Sequence, residues 1–154
     1  MAGKHHLAQV NIARMRAPLD DPLMADFVAN LDRINAVADD APGFVWRLQT
    51  DEGDATALRV FDDAYLIINM SVWVSIEALF EYAYASDHVE VFRRRGEWFS
   101  KLDTPHMALW WVPAGHTPTV EEAKVRLEYL LTEGPTPEAF TFKKRFTPDE
   151  IIQP

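Results

Sequence analysis

The chain has 154 residues, of which 48% are apolar and 25% charged, and this composition is typical of one ordinary globular domain. Its formal net charge of −9 would repel phosphate backbones, so nucleic acid is not an expected partner. The lack of cysteine excludes disulfides and thiolate chemistry, and no apolar run approaches the roughly 20 residues of a membrane span.

The N-terminal sequence MAGKHHLAQV lacks the long apolar stretch of a signal peptide. Together with the missing cysteines, this predicts a cytoplasmic protein without a membrane partner.

The first strand is predicted over residues 7–14, where apolar side chains alternate. A helix follows, because Asp21 can act as N-cap and Pro22 suits the first helical position. Apolar residues at helical spacing carry this helix to about Asp39.

Two further strands are predicted over residues 44–49 and 66–73, and residues 57–61 could add a short one between them. Alternation along the two strands places six apolar side chains on one face of the sheet: Phe44, Trp46, Leu48, Ile68, Met70 and Val72. The other face of the third strand would present a mixed set: Ile67, Asn69, Ser71 and Trp73. This mixture of polar and aromatic groups indicates a small cavity on that face.

The second half of the chain continues with a helix, a strand and another helix. Ser75 can cap the first of these helices, and a break is expected near Ala85. The fourth strand is predicted over residues 107–112. Thr119 and Glu122 then have the spacing of a capping box, which starts an additional amphipathic helix.

The order of these elements predicts an α+β fold with a ferredoxin-like βαββαβ antiparallel sheet and an extra C-terminal helix. The domain is expected over residues 5–134, and residues 135–154 are expected either to pack loosely or to contact a partner. Neither face of the sheet is polar enough for water, and a bare apolar face of several hundred Å² is unusual for a monomer. We therefore expect a homodimer in which two sheets pack together.

Two sequence runs carry a family resemblance: SVWVSIEALFEYAYASDHVEVFRRRGEWF and LWWVPAGHTPTVEEA. They resemble an uncharacterised bacterial domain family within the dimeric α/β-barrel superfamily, whose members include antibiotic-biosynthesis-monooxygenase-like proteins. The resemblance covers about residues 6–142, with LAQVNIAR, PGFVWRLQ and EAFTF as further similar segments. It implies paired ferredoxin-like sheets with outer helices and a ligand cavity between each sheet and its helices.

Known activities in the superfamily include cofactor-independent oxygenation of quinols and polyketide aromatics, haem breakdown, chlorite or peroxide chemistry on haem, and lactone isomerisation. The particular family has no assigned reaction that the resemblance could imply. The activities of other superfamily members do not transfer to it, because fold-level analogy alone does not establish function. It implies a cavity residue at Asn11, since haem-degrading relatives have an asparagine on the first strand there. A haem cofactor is possible but not supported, because the axial histidine of those relatives corresponds to a place near Phe92, although His88 could ligate from another turn.

Three polar residues on the predicted strands are candidates for ligand contact. Asn11 stands between Val10 and Ile12, where an amide is costly unless it is hydrogen-bonded. Arg47 should lie beside Asn11 and Asn69, where it could bind a carboxylate or phenolate. The structural alternatives are that Asn11 pairs with Arg47 or Asn69, and that Arg47 reaches solvent or an acid of a partner.

His88 is the candidate proton-transfer residue, because histidine titrates near neutrality and His88 follows a helix-capping Ser-Asp pair. Its structural alternative is a surface histidine without a catalytic role. The five histidines have no spacing typical of a metal site, so no metal is expected. The catalytic candidates are therefore His88 and Arg47, and five residues are candidates for substrate binding: Asn11, Asn69, Ser71, Trp73 and Trp98.

Three functions fit this set of residues. The first is a cofactor-independent monooxygenase or isomerase that acts on a small aromatic or quinone-like metabolite, with Arg47 and Asn11 holding an oxyanion. The second is a non-catalytic protein that binds such a ligand in the same cavity. The third is a structural dimer whose tryptophans fill the cavity.

Overall fold

A computed structural model describes residues 5–18, 20–48, 66–85, 93–100 and 106–148. The strands are β1 (His5–Met15), β2 (Phe44–Arg47), β3 (Leu66–Trp73), β4 (Phe99–Ser100) and β5 (Met107–Pro113). The α-helices are α1 (Ala25–Asp40), α2 (Ile76–Ala85), α3 (Arg95–Trp98) and α4 (Val120–Glu133), and a 3-10 turn (Pro22–Met24) leads into α1. The extra strand predicted over residues 57–61 lies outside the described residues.

The five strands form one antiparallel sheet with β1 at its centre. Strand β3 pairs with one edge of β1 and carries β2 on its outer side. On the opposite edge of β1, residues 5–11 pair with β5, and Arg14 and Met15 pair with β4. This strand order confirms the predicted α+β fold with a ferredoxin-like arrangement, because β1 lies between β3 and β5 and β2 lies on the outer side of β3.

The predicted N-cap residues form hydrogen bonds with backbone N–H groups at the starts of the helices. The side chain of Asp21 accepts the N–H of Leu23, and that of Ser75 accepts the N–H of Ala78. Thr119 accepts the N–H of Glu122, as the capping-box spacing predicts. None of the helices in the described part of the chain combines the length and the apolar character needed to cross a membrane.

One face of the sheet, which we call the α1–α2 face, carries the odd-numbered residues of β1. An apolar cluster lies at each end of this face. At the Leu7 end, Leu7 and Trp73 pack against α2 through Ile76 and Leu79. The cluster at the Met15 end brings together α1, α3 and the end of β1: Met15, Ala17, Met24, Phe27 and Trp98.

The opposite face, which we call the α4 face, is mainly apolar and is covered within the chain. Helix α4 packs on it through Ala123, Leu127 and Leu130. The strand residues beneath it are almost completely buried: Ala8, Val10, Ile68, Met70, Val72, Ala108, Trp110 and Val112. The expectation that a second copy must cover a bare sheet face is therefore wrong for this face, because the additional helix folds back over it. Whether the chain forms a homodimer remains a prediction.

A β-bulge changes the predicted assignment of the β2 side chains. The register shifts between Phe44 and Trp46, so the strict alternation assumed from the sequence is broken there. Trp46 lies on the α4 face as predicted, but Phe44 packs edge-on against Trp73, with ring centroids 5.5 Å apart. The prediction that Phe44 shares a face with Trp46 is thus wrong.

The described part of the C-terminal segment packs against β5 of its own chain and is not loosely packed, and its contact with a partner stays a prediction. Phe140 and Leu109 exchange two backbone hydrogen bonds of 2.8 Å. The indole N–H of Trp111 donates to the carbonyl of Phe146 at 2.8 Å. Ala139 and Phe140 are completely buried, so this segment belongs to the hydrophobic core.

Candidate functional site

Four polar side chains form a strip across the middle of the α1–α2 face, between its two apolar clusters. The members of this polar strip are Gln9, Asn11, Asn69 and Ser71. The pairing register places Gln9 opposite Ser71 and Asn11 opposite Asn69 on the neighbouring strands β1 and β3. Alternation along both strands directs all four side chains to the same face.

The polar strip is organised by three hydrogen bonds. The amide nitrogen of Gln9 donates to Asn69 Oδ1 at 2.7 Å and to Ser71 Oγ at 2.8 Å. The indole N–H of Trp73 donates to the same Ser71 oxygen at 2.8 Å. Gln9 and Ser71 are only 5% and 6% exposed, so these bonds satisfy polar groups that would otherwise be costly to bury.

The strip changes from buried to open along its length. Gln9 and Ser71 are buried, Asn11 is half-buried, and Asn69 is exposed to solvent. Because Asn69 Oδ1 accepts from Gln9, the amide nitrogen of Asn69 is the part of this side chain that is left for a ligand. The open end of the strip can therefore offer N–H donors to an oxygen atom.

Arg47 lies next to the strip, opposite Ser71 on β3, and its guanidinium contacts an acid of the same chain. Its Nε lies 2.8 Å from Asp39 Oδ1, and a terminal nitrogen lies 3.3 Å from Asp39 Oδ2. The Arg47 side chain is 12% exposed, against 45% for Asp39. Arg47 thus pairs with Asp39 at the end of α1 in its own chain, whereas one predicted alternative was an acid of a partner. A ligand that binds Arg47 would compete with the Asp39 carboxylate.

Tyr82 completes the apolar wall beside the strip. Its ring stacks on Trp73, with centroids 5.1 Å apart and planes inclined by 28°, and its hydroxyl donates to the carbonyl of Ile34. Burial raises the pKa of the Tyr82 hydroxyl well above its usual value, and the charge of Asp39 adds to this effect while Arg47 opposes it. The Tyr82 hydroxyl therefore holds its proton more strongly than an exposed tyrosine does.

The structure brings together five of the seven predicted site residues. Asn11, Asn69 and Ser71 lie in the strip, Trp73 anchors it, and Arg47 lies beside it. The other two are Trp98, which packs at the Met15 end of the face, and His88, which lies outside the described residues.

Trp98 is surrounded by aromatic rings and by Arg94. It is 1% exposed, and its ring centroid lies 5.5 Å from that of Phe27. The Arg94 guanidinium lies 4.9 Å from the centroid of Trp98. These contacts give Trp98 a packing role at the Met15 end of the face.

A surface cleft of about 450 Å³ lies between the C-terminal end of α1 and α2. Its walls are formed by Val37, Asp40, Ala41, Pro42, Ala78, Glu81 and Tyr82. None of the four residues of the polar strip is among them. The cleft reaches the predicted site only through Tyr82, whose ring separates it from Trp73.

The described histidines do not supply an obvious ligand for a metal or for haem at the strip. His5 and His6 lie at the start of β1, His106 is exposed before β5, and His116 contacts Glu122 at 2.8 Å beside α4. No group of three or more metal-binding side chains occurs within the residues that the structure describes. The strip thus provides amide and hydroxyl groups, which do not fit the axial position of a haem iron.

Sequence reasoning missed two members of the site. Gln9 lies between apolar residues of β1, just as Asn11 does. A buried amide is costly unless it is hydrogen-bonded, so Gln9 could have been recognised from the sequence as a candidate site residue. Asp39 gave no such signal, because its contact with Arg47 depends on how α1 packs beside β2.

The family comparison agrees with the sequence resemblance. The family model described as a domain of unknown function, DUF3291, matches residues 6–153. No curated protein matches the chain.

Several solved structures are similar at low sequence identity. SnoaB from Streptomyces nogalater, a cofactor-independent oxygenase, is 17% identical, with 73% of this chain and 95% of SnoaB covered and a TM-score of 0.48. MupZ from Pseudomonas fluorescens is 12% identical, with 98% and 94% covered and a TM-score of 0.43. NE2512 from Nitrosomonas europaea, a protein of unknown function, is 9% identical, with 76% and 96% covered and a TM-score of 0.47.

Proposed function

The chain belongs to the domain family DUF3291, and from this premise we propose that it acts on a small aromatic or quinone-like metabolite without a bound cofactor. The proposed reaction begins with loss of a proton from the ligand and continues as an oxygenation or an isomerisation. The observation that carries the proposal is the polar strip, which is open at Asn69 and lies between two apolar clusters.

The strip has the chemistry needed to hold an anionic ligand oxygen. Deprotonation of a phenol or of a carbon next to a carbonyl places negative charge on oxygen. Amide N–H donors that are fixed before the reaction stabilise such a charge without having to reorganise. In the proposal, Asn69 and Asn11 provide these donors from opposite strands, and Ser71 and Gln9 fix the arrangement beneath them.

The proposed oxygenation needs no external reductant. A methylene group of the substrate loses a proton, and the resulting carbanion donates electrons to molecular oxygen to form a carbon–oxygen bond. The oxygen–oxygen bond and the second carbon–hydrogen bond then break, which leaves a carbonyl group and one molecule of water. One oxygen atom enters the product and the other leaves as water, so the substrate supplies all four electrons. The protein has to remove one proton, hold the resulting oxyanion and exclude bulk water.

Two residues keep proposed roles in this chemistry. His88 is proposed as the proton acceptor, and its place in the chain is outside the described residues. Arg47 is proposed to contribute a positive potential beside the strip, although Asp39 balances part of its charge. Trp73 would form the flat wall on which an aromatic ring can lie.

The proposal is tested by oxygen uptake with purified protein and a panel of anthrone-type and hydroquinone-type compounds. Loss of one oxyanion donor is expected to reduce kcat by about 100-fold, so Asn69→Ala and Asn11→Ala should both be impaired. His88→Ala should be impaired as well. Asn30→Ala is the matched control, because the Asn30 amide bonds with Asp26 and Arg33 within α1. Unchanged turnover in Asn69→Ala would contradict the proposed role of the strip.

A non-catalytic ligand-binding protein is the second candidate. It needs the polar strip but no proton acceptor, and the described groups beside the strip are Tyr82, whose pKa is raised by burial, and Arg47, which pairs with Asp39. This function predicts saturable binding of the same compounds, with weaker binding in Asn69→Ala. It also predicts that the wild-type protein consumes no oxygen and forms no product.

A homodimer is proposed as the working assembly. Since α4 already covers the apolar sheet face, the partner would contact other surfaces, among which Val125 and Leu131 are exposed apolar residues of α4. Sedimentation equilibrium at micromolar concentration gives the answer, and a monomer under these conditions would contradict the dimer.

A further inference from the structure

Gln9 is the residue that connects the parts of the polar strip. It is 5% exposed, and both hydrogens of its amide are used: one bonds to Asn69 Oδ1 at 2.7 Å and the other to Ser71 Oγ at 2.8 Å. Gln9 itself stands at the buried end of the strip, whereas Asn69 is exposed at the open end. Gln9 can therefore influence a ligand through Asn69 without touching it.

The direction of these bonds is defined at the other end by Trp73. An indole nitrogen can only donate, so Ser71 Oγ has to accept from Trp73. Gln9 donates to the second acceptor position of the same oxygen, and its remaining amide hydrogen meets an acceptor on Asn69. Asn69 must then turn its carbonyl oxygen inward and its NH2 group outward.

We propose that Gln9 is a positioning residue that makes the open end of the strip a hydrogen-bond donor and so selects ligands with an acceptor oxygen. The ligand class is a phenolate or an enolate, and an aromatic amine of the same shape is disfavoured because it presents N–H groups to the N–H groups of Asn69. This inference rests on the proposed function, since it concerns the ligand of the same strip.

A reversed arrangement of the two amides gives the opposite selectivity. If Gln9 turned its carbonyl towards Asn69 and Ser71, Asn69 would donate inward and present its oxygen to the ligand. Ionised glutamate at position 9 imposes this reversed arrangement, because a carboxylate can only accept and has nearly the same size as the amide. Gln9→Glu is therefore an isosteric test of direction, separate from a loss of packing.

The binding experiment uses 4-nitrophenolate and 4-nitroaniline, two probes of similar shape, at a pH above the phenol pKa. We expect the wild-type protein to bind the phenolate at least about tenfold more tightly than the aniline, a difference of about 1.4 kcal/mol. Gln9→Glu should lose or reverse this preference. Asn30→Asp is the control, because it introduces the same negative charge on α1, and it should keep the wild-type ratio.

A second measurement observes the strip without a ligand. Side-chain amide NMR of the wild-type protein should show a slowly exchanging NH2 group for Gln9 and a rapidly exchanging one for Asn69. The opposite order would overturn the inference, as would an unchanged phenolate preference in Gln9→Glu. If the amide signals are as expected but neither probe binds the wild-type protein, the proposed function fails and the ligand preference fails with it. If both probes bind with equal affinity, only the inference about Gln9 fails.

Discussion

The turn before β2 offers a direct test of how this site is positioned, through the substitution Gly43→Ala. Gly43 has a φ of +84°, and a Cβ placed there would lie 2.5 Å from Ala78 Cβ and 2.9 Å from Val74 Cγ2. Both of these neighbours belong to the region where β3 continues into α2. The carbonyl of Gly43 also accepts the N–H of Val74 at 2.8 Å, so the turn and the start of α2 are held together.

The expected loss of stability has two parts. A left-handed backbone conformation costs an alanine about 1–2 kcal/mol relative to glycine. Overpacking of a tight contact costs about 1–3 kcal/mol more, because Ala78 Cβ is close to the helix backbone and cannot rotate away. Gly43→Ala should therefore lower the free energy of unfolding by about 2–5 kcal/mol, which is a large part of a typical domain stability.

Urea denaturation followed by tryptophan fluorescence measures this loss, and Gly115→Ala is the matched control. Gly115 has a φ of +93° but no neighbour within 4 Å of a Cβ, so its substitution should cost only the backbone part. The difference between the two variants reports the contact with α2. Equal losses in the two variants would refute the close approach of the turn to α2.

Other contacts around the core give three further predictions. Phe140→Ala should reduce the free energy of unfolding by about 3–5 kcal/mol, because it empties a completely buried site beside β5; a loss below about 1 kcal/mol, seen by urea denaturation, would mean that the C-terminal segment is not part of the core. Tyr82 has a pKa raised mainly by burial, so the unfolded chain ionises first and stability should fall as pH rises above about 10, the ordinary tyrosine value. Tyr82→Phe should show a smaller fall in the same alkaline unfolding series, and an identical fall would contradict the burial of this hydroxyl. For Glu122, burial raises the pKa but hydrogen bonds from His116 and Trp110 outweigh it, and the pKa is lowered from 4.5. Its stabilisation is present above that value and is lost as pH falls through the folded pKa, so Glu122→Gln should cost about 1 kcal/mol or less at neutral pH and nothing in strong acid, as measured by unfolding at both pH values.

Local patterns in the sequence predict most of the fold. The alternation in β1 and β3 and the caps at Asp21, Ser75 and Thr119 are short-range signals, and each is present in the structure within one or two residues. They are reliable here because a strand or a helix start is determined by neighbours a few positions apart. The order of the elements then leaves few possible sheet topologies.

The site is predicted in part for the same reason. Asn11, Asn69, Ser71 and Trp73 share a face because strand geometry requires it, and the structure places them so. The partners of these residues could not be found in this way. Asn69 could bond either to Gln9 or to Asn11, and the choice of Gln9 depends on how far these side chains reach across the two strands.

Local periodicity was enough to assign the strands and helices and to tell which side chains along β1 and β3 face the same way, because these properties follow from the backbone over a few residues. How the elements meet was visible only after folding. Helix α4 lies over the sheet face for which a second copy was expected, and the bulge in β2 moves Phe44 to the side of Trp73. Arg47 pairs with Asp39 across the end of α1. These outcomes depend on packing between segments distant in sequence, where the burial of apolar area and the pairing of charges select among arrangements that local patterns leave equally possible.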